Sequence, residues 1–248
     1  MTDYRNLFSL EGRVALVIGG AAGIGQAGAE AMAAFGATCV VADISMAGEN
    51  HVDVTKTASV NACVENTLKK HGRIDVLLVT PARNIRKRLT AYSDEDFDAV
   101  IDLNLKGTFR AARAVAKPMM QQGSGSIILL SSIRSVNVEA GQTIYAATKA
   151  GIALMAKALA AELAPSNVRV NALAPGIVET PLTRAITSNP ELNKAYASRS
   201  ALGRWAKASE MAGPIVFLAS DASSYLTGTV IFADGGWTAV DGRYEPPV

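Results

Sequence analysis

Cysteine is scarce in this chain: its 248 residues contain two, Cys39 and Cys63. Two cysteines give neither a disulfide framework nor a metal-ligand spacing, so the expectation is a reducing, cytoplasmic setting and no metal. Net charge is nearly absent as well. Twenty-four Lys and Arg stand against 22 Asp and Glu, a formal +2 with no long basic run. A nucleic-acid partner is therefore not expected. The one local cluster, Arg83-Asn84-Ile85-Arg86-Lys87-Arg88, lacks interleaved aromatics. No window approaches about 18 uninterrupted apolar residues, which argues against a membrane partner. Residues 1–13 carry Asp3, Arg5 and Glu11 without an apolar core, so no secretory signal is expected there. No linker, repeat or low-complexity tract divides the chain.

What the sequence does have is apolar content, 49% of residues, enough for a sizeable core. Short apolar runs at 14–18, 38–42, 76–80, 127–131, 168–173 and 230–233 alternate with amphipathic stretches at 24–35, 57–71, 94–121, 145–163 and 208–219. Several of the short runs are β-branched and apolar on both faces, as buried parallel strands require. The alternation predicts an α/β fold, one doubly wound parallel sheet with helices on both faces. Ser93-Asp94-Glu95-Asp96 reads as a helix N-cap with acids in the first turn, and Gly36 as a C-cap. Only nine residues separate Asp43 from Asp53. A parallel crossover needs roughly a dozen or more, so a bare loop is expected between the second and third strands.

Gly19-Gly20-Ala21-Ala22-Gly23-Ile24-Gly25 follows the first strand and opens the first helix. Glycines let backbone approach a pyrophosphate, and the helix start offers free N–H groups and a positive dipole end. Asp43, ending the second strand, is placed to accept hydrogen bonds from the ribose hydroxyls of an adenosine and to repel a 2′-phosphate. Ile44 rather than an arginine follows it, and Ala22 rather than a basic residue precedes Gly23. The expected cofactor is NAD in preference to NADP.

Tyr145 and Lys149 are four apart at the start of a helical stretch, hence on one face. A fixed cation beside a phenol favours the phenolate and lowers its pKa. Ser132 can reach the same oxygen from a strand end. Alone, such a pair arises often by chance, its ordinary reading being a half-buried tyrosine and a solvated lysine.

The surroundings decide it. Gly19-x-x-x-Gly23-Ile24-Gly25, Asp53-Val54, Asn104-Leu105-Lys106-Gly107, Ser132, Tyr145-x-x-x-Lys149, Asn171-Ala172-Leu173-Ala174-Pro175-Gly176 and Asp234-Gly235-Gly236 occur in this order. The chain thus resembles the short-chain dehydrogenase/reductase family over roughly residues 10–236, in the branch of gluconate and polyol dehydrogenases and 3-oxoacyl reductases. The resemblance implies a single Rossmann-type domain over 1–248 with about seven strands. It implies Tyr145 as general acid/base, Lys149 binding the nicotinamide ribose and lowering the tyrosine pKa, Ser132 (Ser131 less so) polarising the substrate oxygen, and Asn104 holding a water on a proton path. Gly19, Ala22, Gly23, Ile24 and Asp43 would bind the dinucleotide, Asp53 and Val54 its adenine, and Pro175, Gly176, Ile177 and Thr180 its carboxamide. Three departures stand out: Ile18 where the family usually has Thr, Val79-Thr80-Pro81-Ala82 where it has Asn-Asn-Ala-Gly, and the short loop after Asp43.

At the substrate end Arg134 and Asn84 are the expected contacts, and residues 180–204 the expected mobile helical lid. An arginine there suits a carboxylate. The leading reading is hydride transfer between NAD(H) and a secondary alcohol or ketone of a polyol, sugar or sugar acid. The alternatives are a 3-oxoacyl-thioester reductase and, from another class, a catalytically idle dinucleotide-binding sensor, which has no need of Asn104, Ser132, Tyr145 and Lys149. Family resemblance implies a homotetramer or homodimer packed through 94–121 and 145–163, with Ile152, Leu154, Met155, Leu159 and Leu163 shared between core and interface. The apolar tail 237–248 is expected to dock on a neighbour.

Overall fold

The computed structural model describes residues 4–240; residues 241–248 of the tail lie outside them. Eight strands occur among the described residues: β1 (Val14–Ile18), β2 (Thr38–Ala42), β3 (Val76–Val79), β4 (Gly125–Leu130), β5 (Val168–Pro175), β6 (Val178–Glu179), β7 (Ala206–Lys207) and β8 (Val230–Ala233). Six of them form one sheet in the order β2-β1-β3-β4-β5-β8, while β6 and β7 make a separate pair. Every pairing in the large sheet is parallel, with Leu16 level with Val40 on one side and Leu77 on the other.

Both faces are covered, which is why the strands are apolar over most of their length. Leu16, Ile18, Ile127 and Leu129 point into a core shared with α2 (Thr57–His71), α4 (Gly107–Gln122) and α5 (Thr143–Leu163). Ala15, Val17, Ile128 and Leu130 point the other way, against α1 (Gly23–Ala34) and α8 (Ala212–Ala219). Leu16, Leu77 and Ile127 are fully buried. Truncating any one to alanine is expected to cost about 2–5 kcal/mol.

The strand number corrects the expected seven. After β2 the chain makes one parallel bridge, Asp43 to His51, around a turn at Gly48–Asn50, and no further edge strand. Nine intervening residues are too few for a crossover helix plus a strand. The stretch 94–121 is likewise not one α-helix. It divides into α3 (Asp94–Val100), a π-helical segment (Ile101–Lys106) and α4. Ser93 caps α3 as expected, reciprocally with Asp96. At the end of the π segment Gly107 permits close packing, since a Cβ there would lie 2.8 Å from Val54 Cγ2.

The helix Thr143–Ser166 is long and apolar enough to cross a membrane, but 44% of its apolar window is buried inside the molecule. Ile152, Ala156, Ala160 and Leu163 pack on the sheet, so its apolarity is that of a core helix. Two short helices, α6 (Arg184–Thr187) and α7 (Pro190–Ala197), follow β6 in the stretch read as a lid.

Candidate active site

The chain runs from β1 to β2 and then crosses to β3 on the other side of β1, so the strand order reverses at the carboxyl ends of β1 and β3. Open α/β sheets bind ligands at such a switch point. A cleft of about 730 Å³ lies there, bounded by the glycine loop, Asp43, Asp53-Val54, residues 80–83, Ser131-Ser132, Tyr145, Lys149, Pro175-Gly176 and residues 180–183.

At the loop end, Gly19 has φ +85°, and a Cβ on Gly25 would fall 2.2 Å from the Gly19 carbonyl oxygen. Only glycine fits either place. Ala22, the N-cap of α1, provides no side-chain cap, and the first turn holds no acid. The N–H groups of that turn are thus left for an anion. Asp43 Oδ1 accepts from the Ser45 N–H (2.9 Å) and hydroxyl (2.8 Å), and Oδ2 accepts from the Ala21 N–H at 3.3 Å. Partial burial works to raise its pKa, but these bonds outweigh it and hold the carboxyl below the usual range. Asp43 is therefore ionised at neutral pH, with lone pairs to spare on Oδ2. Asp53 accepts from the Thr55 hydroxyl (2.7 Å) and N–H (2.9 Å), which lower its pKa too. The donors, the glycine cradle and the carboxylate together fit a dinucleotide.

At the other end, Lys149 is 1% exposed and donates to the Leu130 carbonyl at 2.7 Å. Burial pushes its pKa down to about 7. Its Nζ lies 5.6 Å from the Tyr145 ring centroid. Burial raises the pKa of Tyr145, and its hydrogen bond with Ser132 and the charges of Arg134 and Arg86 only partly offset that. The phenol's pKa thus lies above its ordinary value in this structure, where the expectation was that Lys149 would lower it. The Arg134 and Arg86 charges add positive potential at the phenol. Ser131 spends its hydroxyl on the Lys149 carbonyl (2.8 Å), leaving Ser132 to face the phenol.

Asn104 is fully buried in the π segment and does not line the cleft. Its Oδ1 accepts from the Arg83 N–H (2.8 Å), and its Nδ2 donates to the Arg83 carbonyl (2.9 Å) and to Thr148 Oγ1 (3.2 Å). The carboxamide clamps the loop after β3 onto α5. A π turn at such a position is a recurrent feature of functional sites.

Gly19, Ala22, Gly23, Ile24, Asp43, Asp53, Val54, Pro175, Gly176 and Thr180 all line the cleft beside Ser132, Tyr145 and Lys149. Ile177, Arg134 and Asn84 do not. Ile177 packs with Ile133, Trp205 and Trp237. Arg134 is 7% exposed, pairs with Glu139 at 2.5 Å and stacks 5.4 Å over the Trp237 ring. Asn84 donates to Gln142 Oε1 at 2.9 Å, while its own buried Oδ1 has no partner. Sequence reasoning left Thr80, Pro81, Ala82 and Leu103 on the cleft wall unassigned, the departure at 79–82 being the signal for the first three. Glu139, placed near the substrate end by its position between Ser132 and Tyr145, also accepts from Arg86 (3.0 Å), Gln142 (2.8 Å) and the Tyr196 hydroxyl.

A family model described as enoyl-(acyl carrier protein) reductase matches residues 19–238. The 3-oxoacyl-[acyl-carrier-protein] reductase FabG of Thermotoga maritima is 42% identical over 244 residues, 92% of this chain and 98% of that protein. A gluconate 5-dehydrogenase from Burkholderia cenocepacia, crystallised with NADP and tartrate, has a TM-score of 0.90 at 33% identity, covering 95% of this chain and 98% of its own. The ligand-free aldohexose dehydrogenase of Thermoplasma acidophilum has a TM-score of 0.89 at 27% identity, covering 96% and 98%. Two further matched structures also contain NADP.

Proposed function

The chain belongs to the short-chain dehydrogenase/reductase family and is an NAD(P)-dependent oxidoreductase, and on that premise we propose that it interconverts a secondary alcohol and a ketone in a small polar substrate: a polyol, sugar or sugar acid. The observation that carries the reading is Tyr145 facing Ser132 at one end of the cleft whose other end holds the glycine loop and Asp43.

Gly19, Ala22, Gly23, Ile24, Asp43, Asp53, Val54, Pro175, Gly176 and Thr180 would hold the dinucleotide, which when bound supplies or accepts the hydride. The chain's own residues manage the proton. The Tyr145 phenol gives it to, or takes it from, the substrate oxygen, and the Ser132 hydroxyl donates a hydrogen bond to that same oxygen as charge develops. Lys149 fixes the floor of the site through Leu130 and would meet the nicotinamide ribose. Asn104 holds the Arg83 backbone and, through Thr148, the first turn of α5. The Arg134 and Arg86 charges, although paired with Glu139 and set back from the cleft wall, give the site a positive potential that suits a substrate carrying a carboxylate.

We infer a preference for NAD because Asp43 is ionised and opposes a 2′-phosphate. The NADP in the matched structures belongs to those proteins and marks the competing possibility. A second substrate reading, 3-oxoacyl-thioester reduction, is favoured by the 42% identity to the Thermotoga protein. A homotetramer or homodimer belongs to the proposal, because Phe97, Phe109 and Leu154 stand exposed on α3, α4 and α5. Light scattering on the purified protein tests it.

The enzymological test is a screen of NAD⁺ and NADP⁺ reduction over polyols, sugar acids and 3-hydroxyacyl thioesters, with Tyr145→Phe as control. Turnover of a polyol or sugar acid, lost in Tyr145→Phe, is expected. Activity undiminished in that variant defeats the mechanism, and thioester turnover alone selects the second reading.

A further inference from the structure

The start of the glycine loop is held from an unexpected direction. Ile18, immediately before the loop, is fully buried in the core and offers no hydroxyl to anchor it. The hydroxyl comes instead from the neighbouring strand. Thr80, the residue after β3, donates its N–H to the Ile18 carbonyl at 3.0 Å. Its Oγ1 donates to the Gly19 carbonyl at 2.8 Å, with the Ile18 carbonyl 3.3 Å away. Two consecutive carbonyls at the mouth of β1 are therefore tied to one side chain 61 residues further on.

The fit leaves no slack. A Cβ on Gly19 would lie 2.5 Å from Thr80 Oγ1 and 2.8 Å from Pro81 Cδ; one on Gly25 would lie 2.8 Å from the same hydroxyl. Gly19, Gly25 and Thr80 interlock, and all three line the cleft. Directly above them the first turn of α1 presents N–H groups with no side-chain cap. Where those donors point depends on how the Gly19 peptide is held, because Gly25 belongs to α1 and rests on the Gly19 carbonyl. A carbonyl left without its donor would be free to turn, taking the loop with it.

We propose that Thr80 is a positioning residue of the dinucleotide site: through the Gly19 carbonyl, its hydroxyl sets the geometry of the glycine loop and hence the affinity for the cofactor. The inference rests on the dinucleotide reading of the cleft. It also joins the two sequence departures, the hydroxyl missing at Ile18 and the altered 79–82 segment, in one contact between adjacent strands.

The test uses Thr80→Val, which keeps shape and loses the hydroxyl, and Thr80→Ser, which keeps the hydroxyl and loses a methyl group. NADH and NADPH binding to the intact protein is followed by titration of the reduced-nicotinamide fluorescence, beside the thermal midpoint. For whichever dinucleotide the wild type binds, Thr80→Val raises Kd roughly tenfold, on the order expected for one lost hydrogen bond to a part-buried carbonyl. Thr80→Ser stays within about threefold of wild type, and KM for the dinucleotide rises far more than kcat falls. Where Thr80→Val fails to fold, Thr80→Ala against Thr80→Ser isolates the hydroxyl in the same way. A Kd unchanged in Thr80→Val, a Thr80→Ser as weak as Thr80→Val, or a lowered midpoint with unchanged Kd overturns the proposal. Failure of the wild type to bind either dinucleotide defeats the reading beneath it.

Discussion

Tyr196→Phe is the smallest cut that tests whether residues 180–204 cover the site as a lid. The Tyr196 hydroxyl donates to Glu139 and accepts from Arg86 at 2.8 Å, while its ring packs 5.8 Å from Trp205 and 6.2 Å from Trp237. The substitution keeps the packing and removes the hydroxyl. Hydrogen bonds to charged groups contribute about 1.5–3 kcal/mol. The Arg86 and Glu139 side chains are 39% and 31% exposed, so water replaces part of the loss. A net cost near 1 kcal/mol is the reasonable figure, which is about a fivefold shift in the closed-to-open ratio. The readout is built in. The chain has two tryptophans, and Trp205 and Trp237 are 6% and 5% exposed in the cluster that Tyr196 joins. Their quenching by acrylamide should increase in Tyr196→Phe without any ligand, with a global thermal midpoint shifted by only a few degrees. Glu139→Gln should give the same increase, and the double variant less than the sum, because both cut one network. Wild-type quenching in both single variants, or strict additivity in the double, would refute the latch.

The remaining predictions concern the two ends of the cleft. Arg134→Gln removes a cation that favours the Tyr145 phenolate and leaves Glu139 less compensated. Both effects raise the phenol's pKa, so the acidic limb of alcohol oxidation should move to higher pH by roughly half a unit or more; a limb that stays or moves down shows that Arg134 does not act on the phenol. Asp43→Asn keeps an acceptor for Ser45 and Ala21 but loses the charge, and should shift relative affinity toward NADPH by about tenfold; an unchanged NADH/NADPH ratio removes Asp43 from cofactor choice. Gly25→Ala puts a methyl 2.2 Å from backbone oxygen that cannot swing aside, so dinucleotide binding should fall by two orders of magnitude or more; near-normal binding in calorimetry would mean that the loop is softer than its geometry.

Strand positions were legible because a buried parallel strand must be apolar on both faces, a local property. Val14–Ile18, Thr38–Ala42 and Val230–Ala233 have the limits that the short apolar runs suggested. The Ser93 cap was legible for the same reason, since its partner Asp96 is three residues away. The π segment was not. One inserted residue leaves the apolar pattern of 94–121 almost unchanged, while the contacts Asn104 makes from that segment, to Arg83 and Thr148, span 21 and 44 residues. The missing edge strand was half legible: the nine-residue gap announced a bare loop, but not that its far end would pair only through His51.

The same division runs through the site. Tyr145, Lys149 and Ser132 could be named from their spacing together with the family resemblance, because a helix face and a strand end bring them together. Their proton affinities could not, because those depend on burial and on charges from elsewhere in the chain. Spacing alone suggested a lysine lowering a tyrosine. The fold instead buries Lys149 until its own pKa is about 7 and brings Arg134 and Arg86 near the phenol. Arg86 comes from the loop after β3 and is held by Glu139, 53 residues away, and by Tyr196, 110 residues away. A motif therefore identifies which group carries the proton. In the proposed mechanism burial and Ser132 act most on the pH at which Tyr145 works and the Arg134 and Arg86 charges shift it further, so relatives that share all of Ser132, Tyr145 and Lys149 should differ in pH optimum according to what occupies positions 86, 134 and 139.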